Sequence, residues 1–275
     1  MSEREDEQTP RKAAGRAGRR RLRSMEGVSG STPRDRYRRG MALLPNLITT
    51  GAMFSGFFAI VAGMNGRFVA AGLAVYVAMI LDAADGRVAR MTSSESAFGA
   101  EYDSLSDMVA FGVAPALVAF SWALSSLGQV GWVVTFVYMA CAALRLARFN
   151  TQGGDQASFT GLPSPAAAAV LASSVWLWSE AAAGPASLAA AIGTALVTLG
   201  TGVLMVSSFS YASLKAINLR ERVPFVTLVA VAFGFAVVFA DPPRVLLALF
   251  GLYALSGPAR WAWDRFRNRN ANPIQ

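Results

Sequence analysis

The sequence predicts an all-α integral membrane protein, a helical bundle with about eight transmembrane helices. Three observations carry this. The chain is 54% hydrophobic and only 15% charged, where a soluble domain carries about 25% charged residues. Its mean hydropathy is +0.40. Its apolar residues gather into runs near the ~20 residues that cross a bilayer, with the charges collected between them. The hydrocarbon core holds no water for backbone groups, so each run must be a helix.

In chain order, residues 1–40 are polar and rich in Arg, Ser and Gly, which predicts a disordered basic tail. No small-residue cleavage site follows a short apolar core there, so it does not read as a signal peptide. Glu3, Glu5, Asp6 and Glu7 speak against a transit peptide. The membrane domain is expected over residues 41–262. Its spans fall near Leu44–Met64, Phe68–Arg90, Ala100–Leu124, Gly128–Phe149, Pro165–Ala182, Ala186–Phe209, Val223–Ala240 and Val245–Trp261. Pro115 should kink the third. Residues 263–275 form a second basic tail, with Trp261 and Trp263 as interface anchors.

Orientation follows from the basic residues. With the N-terminus in the cytoplasm, the outer loops hold only Arg67 and Arg244, and the other 23 of 25 Lys and Arg lie inside. The opposite orientation inverts this bias, so both ends are expected to be cytoplasmic, in the plasma membrane. The net charge of +8 and pI near 10.4 do not call for nucleic acid. Of the 25 basic residues, 12 precede Leu43 with no aromatic platform beside them. Topology and anionic headgroups account for them. The single cysteine, Cys141, excludes an internal disulfide. The absence of histidine removes Ser-His-Asp and Cys-His catalysis and histidine metal ligands. A metal site must then be built of oxygen, which favours Mg2+ or Mn2+.

The stretch from Leu81 to Asp107 organises the rest. Asp82, Asp85 and Gly86 share one face of the second span, and Gly99, Asp103 and Asp107 share one face of the third. A short loop joins them, so the four carboxylates meet near the inner membrane surface. They repel one another, and at that depth they are costly unless paired, hydrated or metal-bound. Two divalent ions would neutralise them. A salt bridge to Arg87 or Arg90, or a helix–helix hydrogen bond, explains one such aspartate more readily than four.

The pattern D-x-x-D-G-x-x-A-R-x8-G-x3-D-x3-D matches the signature of the CDP-alcohol phosphotransferase family at every fixed position. The segments SDMVAFGVAPA, LRLARFN and FTGLPSPAAAA resemble its phosphatidylserine synthase branch. The resemblance covers roughly Pro45 to Ala168. It implies transfer of a phosphatidyl group from CDP-diacylglycerol to the hydroxyl of L-serine, with release of CMP, by a homodimer in the bilayer. Gly51 and Gly56 permit close helix packing. It implies that Asp82 and Asp103 bridge two Mg2+ or Mn2+ ions, that Asp85 completes one site, and that Asp107 borders the other and serves as general base.

Further residues carry two readings each. Gly86 and Ala89 keep a helix face low for the nucleotide, and Arg90 offers a fork for phosphate or anchors the inner surface. Ser96 resembles a CDP-lipid contact, or belongs to an ordinary polar loop. Pro45 and Asn46 resemble a nucleotide-contacting entry to the first span, or simply start that helix. Arg145, Arg148 and Asn150 suit the carboxylate of serine, or snorkel to the interface. FTGLPSP is a connector or part of the acceptor pocket. Glycerol 3-phosphate and inositol phosphate are the competing acceptors. A cation-coupled transporter is the rival of another class, but it predicts broken helices at mid-membrane, in paired halves.

Overall fold

The computed structural model describes residues 33–152, 158–182, 184–212 and 225–271. The helices are α1 (Pro33–Met64), α2 (Phe68–Met91), α3 (Ala97–Asp107), α4 (Ala114–Trp122) and α5 (Gln129–Gln152). They are followed by α6 (Ser164–Ala181), α7 (Leu188–Val206), α8 (Phe225–Ala240) and α9 (Pro242–Ala271). A π-helical turn, Met108–Val113, joins α3 to α4, so these two form one rod and the described residues hold eight rods. Six are long and apolar enough to cross a membrane: Leu43–Met64, Phe68–Met91, Ala97–Trp122, Gln129–Thr151, Leu188–Val206 and Pro242–Arg267. The protein is a multi-pass membrane protein.

Of the eight expected spans, α6 and α8 fall outside that count. Of α8 the described residues are Phe225–Ala240, 16 in number, and the count covers described residues alone. The reason differs for α6. From Ala166 to Trp176 every residue is buried, and Ser173 and Ser174 lie among them. A helix wrapped by protein on all sides need not be apolar. Its small residues let α2, α4, α7 and α9 approach closely. Tyr76 on α2 bonds to Ser173 Oγ and donates to the Ala169 carbonyl at 3.1 Å. Large apolar side chains meanwhile point outward, among them Phe54, Phe57, Trp132, Phe136 and Leu196. In water such a surface would be an association site; here it faces lipid.

Several expectations are corrected. The compact body begins at Ala42, and of the segment before it residues 33–41 are described, all helical. Residues 33–40 are therefore not an unstructured tail, and residues 1–32 lie outside the described residues. Pro45 stands inside α1 and does not start it. At the other end α9 runs on to Ala271, so the described part of the expected C-terminal tail is helical. Gly51 and Gly56 do permit close helix packing, here within the chain. A Cβ on Gly51 would meet Leu81 at 3.4 Å, and one on Gly56 would come within 2.8 Å of Ala110 Cα.

Pro115 acts through the π turn just before it. Proline has no N–H for the carbonyl four residues back, here Phe111. That buried carbonyl instead accepts from Tyr138 Oη at 3.2 Å.

The bundle is also not purely helical. Strands β1 (Ser158–Thr160) and β2 (Ser210–Ala212) pair antiparallel, Phe159 opposite Tyr211. A two-stranded ribbon is not stable alone, and this one is anchored. Gly161, at φ +84°, turns the chain so that its N–H donates to Phe209 O at 2.8 Å. Leu162 N donates to Leu204 O at 2.9 Å. Tyr211 is fully buried and donates to Ala254 O of α9 at 2.9 Å. Burial pushes its phenol up to about 12, so it stays a donor. The ribbon ties the start of α6 and the end of α7 to the middle of α9.

Candidate active site

The site forms where α2 ends and α3 begins. The carboxylate oxygens of Asp82, Asp85 and Asp103 lie within 4.8 Å of one another. Asp107, the last residue of α3, reaches hydrogen-bonding contact with Asp82. All four expected aspartates therefore meet. The loop between the helices is built to hold them. Thr92 caps α2 through Val88 O at 2.7 Å, and Ser94 N donates to Ala89 O at 3.0 Å. Ser96 caps α3, its Oγ accepting from Gly99 N at 3.0 Å.

Asp85 is buried, at 4% exposure. Thr49 of α1 donates to its Oδ2 at 2.7 Å. Ser106 Oγ donates to Thr49 O at 3.1 Å, which locks α1 against α3. Among the described residues the ion pair formed is Arg244–Asp241, and none reaches the four aspartates. A salt bridge to Arg87 or Arg90 thus does not explain the cluster. Three carboxylates that close, with Asp107 against them and no histidine in the chain, form an oxygen-only donor set. Oxygens spaced this way can share a divalent ion of the Mg2+ or Mn2+ type. The residues present fit such an ion.

Beside the cluster opens a cavity of about 260 Å³ between α1, α2 and α3. Pro45, Asn46, Gly86, Ala89, Arg90 and Ser96 all line it, as do Thr49, Asp85 and Asp103. A Cβ added to Gly86 would meet nothing within 4 Å, so α2 presents bare backbone to the opening. At Gly99 a Cβ would stand 3.1 Å from Ser96 Oγ and 3.4 Å from Asn46 Oδ1, so glycine admits both polar groups. Arg90 is exposed at the rim.

The three candidates on α5 separate. Arg145 lies within electrostatic range of Asp107 and donates from Nη1 to Ser164 Oγ at 2.7 Å. Arg148 turns to the end of α7 and donates to Val206 O at 3.3 Å. Asn150 donates to Ser104 Oγ at 3.0 Å, bracing α5 against α3. Sequence reasoning missed Thr49 and Ser164. Thr49 was within reach, since it stands one turn after Pro45 on the same helix face. Ser164 gave no signal beyond a helix start.

The CDP-alcohol phosphatidyltransferase family model matches residues 42–206. The chain is 37% identical over 221 residues to the CDP-diacylglycerol–serine O-phosphatidyltransferase of Helicobacter pylori (strain ATCC 700392 / 26695), covering 80% of this chain and 91% of that one. It is 33% identical over 175 residues to the Bacillus subtilis (strain 168) protein of the same name, covering 64% and 93%. It is 36% identical over 173 residues to the archaetidylserine synthase of Methanothermobacter thermautotrophicus (strain Delta H), covering 61% and 69%.

Proposed function

We propose that this chain, which belongs to the CDP-alcohol phosphatidyltransferase family, is a phosphatidylserine synthase. It would join CDP-diacylglycerol and L-serine to give phosphatidylserine and CMP. The observation that carries this is the position of Asp107. It stands between the cavity-side aspartates, in contact with Asp82, and the guanidinium of Arg145. The relatives' names support the acceptor: they differ in the lipid and share serine.

In this reading the cavity takes the nucleotide end of the donor. Bare backbone at Gly86 and the small Ala89 admit it, and Arg90 meets its phosphate at the rim. Asp82, Asp85 and Asp103, with Asp107 at the border, would hold two Mg2+ or Mn2+ ions. Such ions supply neutralisation of the diphosphate and of the departing CMP. Arg145 orients serine through its carboxylate. Asp107 takes the hydroxyl proton as the serine oxygen forms its bond to the phosphatidyl phosphorus and the bond to CMP breaks. Thr49 keeps Asp85 aimed inward.

The enzyme would lie in the plasma membrane as a homodimer, with both ends and the site cytoplasmic. The arginine distribution supports the orientation. Ser96→Cys in a Cys141→Ser background tests it, and labelling solely from outside intact cells would refute it. The activity is tested by offering purified protein CDP-diacylglycerol with serine, glycerol 3-phosphate or inositol phosphate in turn. Serine should release CMP and yield phosphatidylserine. Turnover with either phosphate acceptor and none with serine would sink the proposal.

A further inference from the structure

The two ends of α2 differ. One carries Asp82 and Asp85. At the other, about four turns and about 22 Å back along the axis, stands Arg67. Gly66, at φ +70°, makes the turn from α1 there, and Arg67 N donates to Ala62 O at 2.8 Å. Arg67 is exposed, and among the described residues it forms no ion pair.

From this turn a groove runs into the membrane between α1 and α2. The face of α2 that carries Ala71, Val75 and Ala78 is buried in the bundle. A Cβ on Gly72 would meet Trp176 of α6 at 3.4 Å. The neighbouring face is left open. Its Leu73 and Val77 are 48% and 46% exposed, and Phe54 and Phe58 of α1 stand across from them. The cavity they line holds about 340 Å³ and is apolar save for Ser55. A second cavity, of about 410 Å³, adjoins it at Ala70 and Leu73, which line both. It is bounded by Arg67 and by Ser179 near the end of α6. The two form one channel, apolar at depth and cationic at its mouth.

The shape and chemistry point to one kind of occupant. In a bilayer, helices associate through packing more than through apolar burial. An empty groove forfeits dispersion contacts along its walls, and an acyl chain restores them. From Arg67 to Val77 the groove runs about 15 Å, one leaflet of a ~30 Å hydrocarbon core. A chain lying in it brings its phosphate level with Arg67, and a guanidinium pairs with phosphate through parallel N–H donors. Ser179 Oγ donates to Trp176 O at 2.9 Å, so toward the cavity it accepts. Glu180, which accepts from Trp176 Nε1 at 2.8 Å, follows it and favours a positive group on that side.

We infer that this groove binds one phospholipid of the leaflet opposite the aspartates. Its phosphate meets Arg67, its headgroup ammonium turns toward Ser179, and one acyl chain lies between α1 and α2. A phosphatidylethanolamine has this chemistry. The site is distinct from the cavity beside the aspartates, which lies at the far end of α2.

Native mass spectrometry of the full-length protein in detergent, titrated with dioleoyl phosphatidylethanolamine, reads the occupancy. Arg67→Gln should weaken the tight site about tenfold or more, the cost of losing a hydrogen bond to a charged group. Leu73→Trp, which fills the groove, should also weaken it by about tenfold or more. Dioleoylglycerol lacks the phosphate and should bind the wild-type protein no better than phosphatidylethanolamine binds Arg67→Gln. Dioleoyl phosphatidylcholine has no N–H to give Ser179 and should bind about threefold or more weakly. Unchanged affinity in either variant overturns the inference, and so does equal binding of the three lipids. A second copy of the chain is the competing occupant. Ser55→Cys in a Cys141→Ser background should stay monomeric when membranes are oxidised; a disulfide-linked dimer would place protein in the groove and refute the lipid site.

Discussion

On one side of Asp107 the walls come from α1, α2 and α3, which are consecutive and joined by short turns. On the other, Arg145 of α5 donates to Ser164 of α6, which follows a ribbon of two three-residue strands packed on α9. The proposed donor side is held together by local contacts. Asp82 and Asp85 share a helix turn, Ser96 caps the next helix, and Thr49 and Ser106 pin α1 to both. The acceptor side depends on long-range contacts such as Tyr211 with Gly257 and Ala254. In the proposed reading the chemistry of phosphatidyl transfer would thus sit in a local hairpin. In the same reading the acceptor would be chosen by tertiary contacts instead.

That contrast can be broken by experiment. The largest effect should come from chelation. Rigorous removal of divalent ions should bring activity to background, and Mg2+ or Mn2+ should restore it, because the cluster is oxygen-only. Full turnover in metal-free enzyme would remove the basis of the mechanism. Next, Asp107→Asn should lower kcat by roughly two to four orders of magnitude, the range of a lost general base. CDP-diacylglycerol should still bind, whereas Asp82→Asn should weaken both metal and nucleotide. Normal turnover by Asp107→Asn would show that solvent or coordination removes the proton.

Two smaller effects separate the sides. Arg145→Gln should raise the serine KM by about 10- to 100-fold, as for a lost charge-assisted pair, and leave donor binding alone. Thr49→Val keeps shape but frees Asp85. It should raise the metal concentration for half-maximal activity by about tenfold, the usual consequence of losing a partner behind a ligand. Its serine KM should not move. If Thr49→Val changes serine affinity and leaves the metal titration untouched, the two sides are not independent, and the division drawn between them fails.

The sequence alone determined the membrane class, the rods and the aspartate cluster. Each of these depends on periodicity within one segment: apolar length for a span, and three- and four-residue spacing for carboxylates on a face. The residues lining the cavity beside the aspartates were legible for the same reason, since they flank that hairpin. What only the tertiary structure decided is where separate segments meet. Pro115 announced a bend, but the π turn and its Tyr138 partner depend on α5. Arg145, Arg148 and Asn150 look alike along one helix, yet they face Asp107, Val206 and Ser104 because three different neighbours surround α5. Tyr211 has no local signature at all. Its position follows from α9 packing on β2, a contact between residues far apart in the chain that no spacing can reveal.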